Sequence, residues 1–230
     1  MSGTLLLEGG AEFSGMMYLP DTRALELAGG SQAPVVIIPT AAAPDHNAER
    51  AGRNGERWFR NLGAHNVSIL PLLDRASAAD SGVCHALRSA RLIFLLGGFT
   101  HYLGQTLLDS PAADAMRAAH ADGAVLAGSS AGAMVLCEVY LNPEDMSLHP
   151  GLNLLPGCCV LPHHNTFGMR WAARLLSLIP DKTLIGIDEH TGLLNDDPSG
   201  LWRVCGQHSV TLYKGSSHQE YSPDQVLALP

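Results

Sequence analysis

Residues 124–133 read AVLAGSSAGA, and the fold turns on how that stretch is read. An apolar run, Ala124 to Ala127, ends at Gly128; small residues surround Ser130; a second apolar segment begins at Met134. The pattern predicts strand, tight turn and helix, with Ser130 at the carboxyl end of a sheet strand on a strained backbone that only small neighbours permit. Gly128-Ser129-Ser130-Ala131-Gly132 is G-x-S-x-G, the spacing of a nucleophile elbow, whose two glycines let the strand and helix backbones pass closely. A Gly-rich strand-to-helix turn also serves as a plain anion seat, so the rest of the chain has to decide.

Upstream, residues 91–96 (RLIFLL) form the strongest strand signal and run into Gly97-Gly98, followed by helical patterns over 101–108 and 112–121. Residues 5–7, 34–39 (PVVIIP) and 67–70 read as further buried strands, with helices over 45–64 and 83–90. This alternation implies right-handed βαβ crossovers and a mostly parallel sheet covered by helices on both faces, a three-layer α/β sandwich in one domain over 1–230. Ligands of such sheets collect at the carboxyl ends of the strands, where Gly97-Gly98 and Ser130 both fall. Downstream, 141–157 reads as irregular structure beside a site. Residues 158–161 form a short strand before Pro162-His163-His164, 168–178 a helix, and 183–187 a strand ending in Asp188-Glu189-His190. Residues 201–205 and 209–213 read as an antiparallel hairpin at the sheet edge, a place where subunits of a homo-oligomer could meet.

Composition excludes several classes. A 46% apolar content places the chain far from disordered sequences, and a net charge of −8 without a basic stripe argues against a nucleic-acid partner. Five cysteines without C-x-x-C spacing indicate neither a disulfide framework nor a zinc cluster, and adjacent His163 and His164 point to opposite sides of a strand end, which disfavours a metal pair. No apolar run approaches the ~20 residues needed to cross a bilayer, and the first ten residues lack a signal-peptide pattern. The expectation is a cytoplasmic protein with no membrane partner, no metal and no cofactor.

Six motifs in order resemble the dipeptidase E and cyanophycinase family of serine peptidases, which has the class I glutamine-amidotransferase-like fold. They are Gly9-Gly10-Ala11-Glu12, Ile38-Pro39-Thr40-Ala41, the turn within 94–100, Gly128 to Ala133, the GLNLLPG block at 151–157 followed by His163, and GIDEHTGL at 186–193. The resemblance implies Ser130 as nucleophile and His163 as the base that takes its proton, since a neutral hydroxyl attacks poorly until an imidazole does so. It offers two third members: Glu189, favoured because it closes a predicted strand within the fuller block, and Asp145. It also implies oxyanion donors at the amides of Gly98 and Ala131. From the residues themselves, Phe99 just after the glycine turn, His164 and Arg170 are candidate substrate contacts.

Departures sharpen the reading. Phe99-Thr100 stands where the family usually has polar residues, and Leu161-Pro162-His163-His164 where cyanophycinases have D-Q-H-F before an arginine-rich helix. These differences and the length point to an exopeptidase or dipeptidase acting on short peptides rather than to a cyanophycin-degrading enzyme. A non-catalytic ligand-binding or regulatory protein on the same fold is the competing reading, and an amidohydrolase or esterase with the same triad a third.

Overall fold

The computed structural model describes residues 3–197, 199–215 and 217–230. The chain opens with β1 (Thr4–Glu8), α1 (Tyr18–Leu27), β2 (Val35–Ile38), α2 (Ala48–Asn61) and β3 (Val67–Ile69). There follow α3 (Ser81–Ser89), β4 (Leu92–Leu95), α4 (Thr100–Leu107), α5 (Pro111–Ala121), β5 (Val125–Ser129) and α6 (Ala131–Leu136). Then come β6 (Val139–Asn142), β7 (Ser147–Pro150), β8 (Cys158–Leu161), α7 (Met169–Leu178), β9 (Thr183–Ile187) and β10 (Thr191–Leu194). The last strands are β11 (Trp202–Gly206), β12 (Val210–Lys214), β13 (Ser217–Tyr221) and β14 (Val226–Leu227).

Eight strands form the large sheet in the order β14-β11-β10-β1-β5-β4-β2-β3. From β1 to β3 every pairing is parallel, and β10, β11 and β14 extend the sheet antiparallel. Side-chain alternation divides the apolar strands between two cores. Leu5, Leu7, Ile93 and Leu95 pack with α3 to α6 on one face, while Leu6, Leu92 and Phe94 pack with Ala24, Leu25 and Phe59 of α1 and α2 on the other. The helices begin where their sequences provide for it: Asp80 accepts from Val83 N at 2.9 Å, and Ser110 from Ala113 N at 3.1 Å with Pro111 in the first turn. A mostly parallel sheet with helices on both faces is therefore what the chain adopts.

The second half departs from the sequence expectation. A four-stranded sheet, β13-β12-β9-β8, stands apart from the large one, and a hairpin of β6 and β7 occupies the part of 141–157 expected to be irregular. The predicted hairpin of 201–205 with 209–213 does not form. Strand β11 pairs with β10 and β14 in the large sheet, whereas β12 pairs with β9 and β13 in the smaller one. The cause lies in the link: Gln207 N donates to His190 O at 2.9 Å and His208 N to Thr191 Oγ1 at 3.0 Å, so 207–208 anchor to the preceding turn instead of closing on themselves. Both strands consequently lie inside their sheets and offer no edge.

The glycines of the elbow are required by contact. A Cβ on Gly128 would stand 2.4 Å from the Gly132 carbonyl carbon, and one on Gly132 would stand 2.2 Å from Leu95 O, so β4, β5 and α6 meet backbone to backbone. Gly132→Ala is expected to destabilise the chain by about 1–3 kcal/mol through overpacking, read as a lowered urea midpoint at unchanged m-value.

Candidate active site

Ser130 follows β5 and immediately precedes α6, at φ 50° and ψ −110°, a left-handed conformation costly for a side chain with a Cβ. The surroundings hold it there: Ser130 N donates to Glu8 O at 3.0 Å, and Met134 N closes the first turn on Ser130 O at 3.0 Å. Its hydroxyl lies 2.9 Å from His163 Nε2. On the far side of the ring, His163 Nδ1 lies 2.8 Å from Glu189 Oε1. An ionised carboxylate only accepts, so in the neutral ring Nδ1 carries the proton and Nε2 is left to accept from Ser130. Such a chain lets an imidazole take a hydroxyl proton while the carboxylate fixes the tautomer.

The three side chains come from two sheets. His163 and Glu189 follow β8 and β9 of the smaller sheet, Ser130 follows β5 of the large one, and the Gly9-Gly10 turn after β1 holds them together. His163 N donates to Gly9 O at 2.7 Å. A Cβ on Gly10, whose φ is +124°, would stand 2.3 Å from His163 Cε1, so the imidazole lies directly on this backbone. Phe167 stacks on the other side of the ring, with centroids 4.6 Å apart and planes 25° apart. Thr166 Oγ1 donates to Glu189 Oε1 at 3.3 Å, and Asn165 Oδ1 accepts from Glu189 N at 3.0 Å, tying the acid to the turn after β8.

The other sequence candidates fall in different places. Asp145 lies in the β6–β7 turn, where Oδ1 accepts from Ser147 N at 2.9 Å and from Ser147 Oγ at 2.6 Å; it does not meet His163. His164 is buried away from Ser130, its Nδ1 donating to Asp188 Oδ1 at 3.1 Å and its Nε2 accepting from Tyr213 Oη at 2.8 Å, so it corrects the expectation of a substrate contact. Arg170 is exposed on α7. Gly98 and Phe99 line a cavity of about 530 Å³ between α4 and the β6–β7 hairpin, with His101, Asn142 and Glu144 among its walls. Ala131 N belongs to the first residue of α6, next to Ser130. All five cysteines are unpaired, and burial pushes Cys158 and Cys159 up to about 12, so both stay neutral thiols near pH 7. Among the described residues no cluster of three or more His, Cys, Asp or Glu could hold a metal ion, and no helix is long and apolar enough to cross a membrane.

A family model, peptidase family S51, matches residues 5–200. The chain belongs to this serine peptidase family. It is 34% identical over 226 residues to the cyanophycinase of Synechococcus elongatus, a match covering 91% of this chain and 67% of that one. It is 28% identical over 248 residues to the peptidase E of a Nostoc species, covering 99% and 96% respectively. Among solved structures, a peptidase from an acI-B1 Actinobacterium superposes with a TM-score of 0.90 at 30% identity, covering 100% of this chain and 98% of that one. The cyanophycinase relatives are thus the more similar in sequence, against the leaning drawn from Phe99 and length, while the peptidase E relative is the closer in extent.

Beneath the S51 site lies a carboxyl cluster to which sequence reading assigned no role. Glu8 ends β1 fully buried beside Asp21 of α1, and both carboxyl oxygens of Glu8 lack a hydrogen-bond partner among the described residues. Burial raises the Glu8 carboxyl well above the usual carboxylate range, with the Asp21 charge adding to it; burial likewise pushes Asp21 up to about 7, against the hydrogen bond it accepts from Trp58 Nε1 at 2.8 Å. Glu12 continues the series and accepts from Ser129 Oγ at 3.0 Å. The sequence signal was an acid at the end of an unbroken apolar strand.

These raised values make stability pH-dependent. The native state holds protons that the unfolded chain has released, so stability falls as pH rises: the contribution is full below about pH 4, the unfolded value, and is lost through the raised folded values. Glu8→Gln should flatten the decline of Tm between pH 4 and 8 relative to the unsubstituted chain, measured by calorimetry.

Proposed function

We propose that this S51 peptidase is a serine exopeptidase acting on short peptides through an acyl-enzyme, with Ser130 as nucleophile, His163 as base and then acid, and Glu189 as the acid that orients it. The observation that carries the reading is the continuous hydrogen-bonded chain Ser130 Oγ, His163 Nε2 and Nδ1, Glu189 Oε1, at 2.9 and 2.8 Å. Ser130 Oγ attacks the scissile carbonyl as its proton passes to His163 Nε2. The tetrahedral oxyanion is received by the amides of Gly98 and Ala131, each donor contributing up to ~3 kcal/mol in such sites. His163 then gives the proton to the leaving amine, and water deacylates the enzyme by the same route.

The cavity beside Gly98 supports an apolar substrate side chain, since Phe99 lines it where the family usually has a polar residue. Asn142, Pro143 and Glu144 of the β6–β7 hairpin wall that cavity off, which favours short peptides over a long polymer. The reaction needs no cofactor.

A fluorophosphonate probe is expected to label the chain at Ser130, with labelling abolished in Ser130→Ala and retained in Ser129→Ala; an unlabelled native chain refutes the reading. In peptide turnover Glu189→Gln should lower kcat by about 10³–10⁴-fold, whereas Asp145→Asn should leave it within a few-fold. The reverse pattern would transfer the orienting role to Asp145.

A further inference from the structure

The four arginines that α2 carries at 50, 53, 57 and 60 differ in what surrounds them. Arg53 pairs with Glu49 and Arg60 with Glu56, each one turn away on the same helix. Arg50 and Arg57 have no carboxylate within salt-bridge distance among the described residues, and Arg50 Nε donates only to Asn47 Oδ1, at 2.8 Å. With Asn47, Asn54 and Asn61 they occupy 47, 50, 54, 57 and 61, steps of three and four residues that form one helix face. That face is one wall of a cavity of about 700 Å³ whose opposite wall includes Glu12 and Leu96.

This cavity adjoins the nucleophile. A Cβ on Gly97 would stand 3.1 Å from Glu12 Oε1 and 3.3 Å from Ser130 Cβ, so Gly97 lies between Ser130 and Glu12, which lines the cavity. Glu12 is already engaged by Ser129 Oγ, and its charge drives an anion outward, towards α2. The two cavities flanking the Gly97-Gly98 turn differ: Phe99, Tyr102 and Pro143 contribute apolar wall to one, while the other offers two guanidinium groups and three amides beside Phe13 and Trp58.

We propose that the α2 face is a substrate subsite for a carboxylate, so that the preferred peptide carries an apolar side chain on one side of the scissile bond and an acid group on the other. Arg50 and Arg57 are seven residues apart, about 10 Å along the helix axis, the span of about three extended residues. The subsite thus has room for an acidic side chain, a free chain terminus, or both. Calling the ligand a substrate rests on the peptidase reading; the binding itself does not.

The test uses the full chain carrying Ser130→Ala, so that peptides bind without turnover, and isothermal calorimetry with four versions of Leu-Ala-Ala-Asp: Asp or Asn at the last position, each with a free or an amidated end. The fully acidic peptide should bind at least about tenfold more tightly than the doubly neutral one. Loss on Asn substitution alone identifies the side chain as the recognised group, and loss on amidation alone the chain terminus. The gap should vanish with Arg50→Gln/Arg57→Gln and survive Arg53→Gln/Arg60→Gln, with the fold of each variant checked by circular dichroism. Equal affinities, no binding by any peptide, or a gap that survives Arg50→Gln/Arg57→Gln would overturn the subsite. Fluorophosphonate labelling of the native chain reports separately on the peptidase reading: labelling with equal peptide affinities removes the subsite alone, and a binding gap without labelling removes the peptidase alone.

Discussion

The carbonyl oxygen of Gly9 joins the halves of the molecule. It accepts the His163 amide at 2.7 Å, while Gly9 N donates to Thr191 O at 3.0 Å, so one glycine at the end of β1 binds the smaller sheet on one side and β10 on the other. The approach is possible only because both residues of the turn lack side chains: a Cβ on Gly9 would overlap Asp188 O at 2.1 Å, and one on Gly10 would overlap the His163 ring. Close backbone contact replaces flexible side-chain packing where the Gly9-Gly10 turn meets Asp188 and His163. The geometry beside the Ser130 hydroxyl therefore depends on hard contacts, which deform little.

Around that rigid centre the walls are chemically differentiated. The Phe99 side is bounded by a hairpin attached through His101, whose ring lies 4.1 Å from that of His149, and through Tyr140, whose hydroxyl occupies space that a side chain at position 104 would fill. The α2 side is open and rich in hydrogen-bond donors. The chain shares family S51 and sequence similarity with cyanophycinases and a peptidase E. What distinguishes members of such a family is the lining, which loops and exposed helix faces vary at little cost to the fold.

The parallel half of the fold was legible because its strands are short apolar runs punctuated by glycine, a signal that survives without knowledge of partners. That Ser130, His163 and Glu189 come together was legible for a related reason: each sits where a predicted strand ends. Where the reading failed, long-range pairing decided the structure. Strands β11 and β12 look like a hairpin locally, but the anchors that send them to different sheets are at His190 and Thr191, each seventeen residues before its partner in the link. His164 had a local pattern as good as that of His163, and only the arrival of Tyr213 and Asp188 shows that it faces inward. Helix α1 escaped notice because Pro20 stands in its first turn, a position where the missing amide costs nothing. The stripe of α2 is visible in sequence, but nothing there says which side of the helix meets a cavity.

Consecutive residues supply two imidazole–carboxylate pairs: His163 with Glu189 facing the cleft, and His164 with Asp188 facing the interior, where Tyr213 completes the second set. Because neighbouring residues at a strand end point to opposite sides, a slip of β8 against β9 by one position would break both pairs at once and bury a carboxylate without its partner. Register and the outer pair are therefore coupled: a chain that pairs β8 and β9 one position out loses the buried His164–Asp188 hydrogen bond together with the His163–Glu189 one.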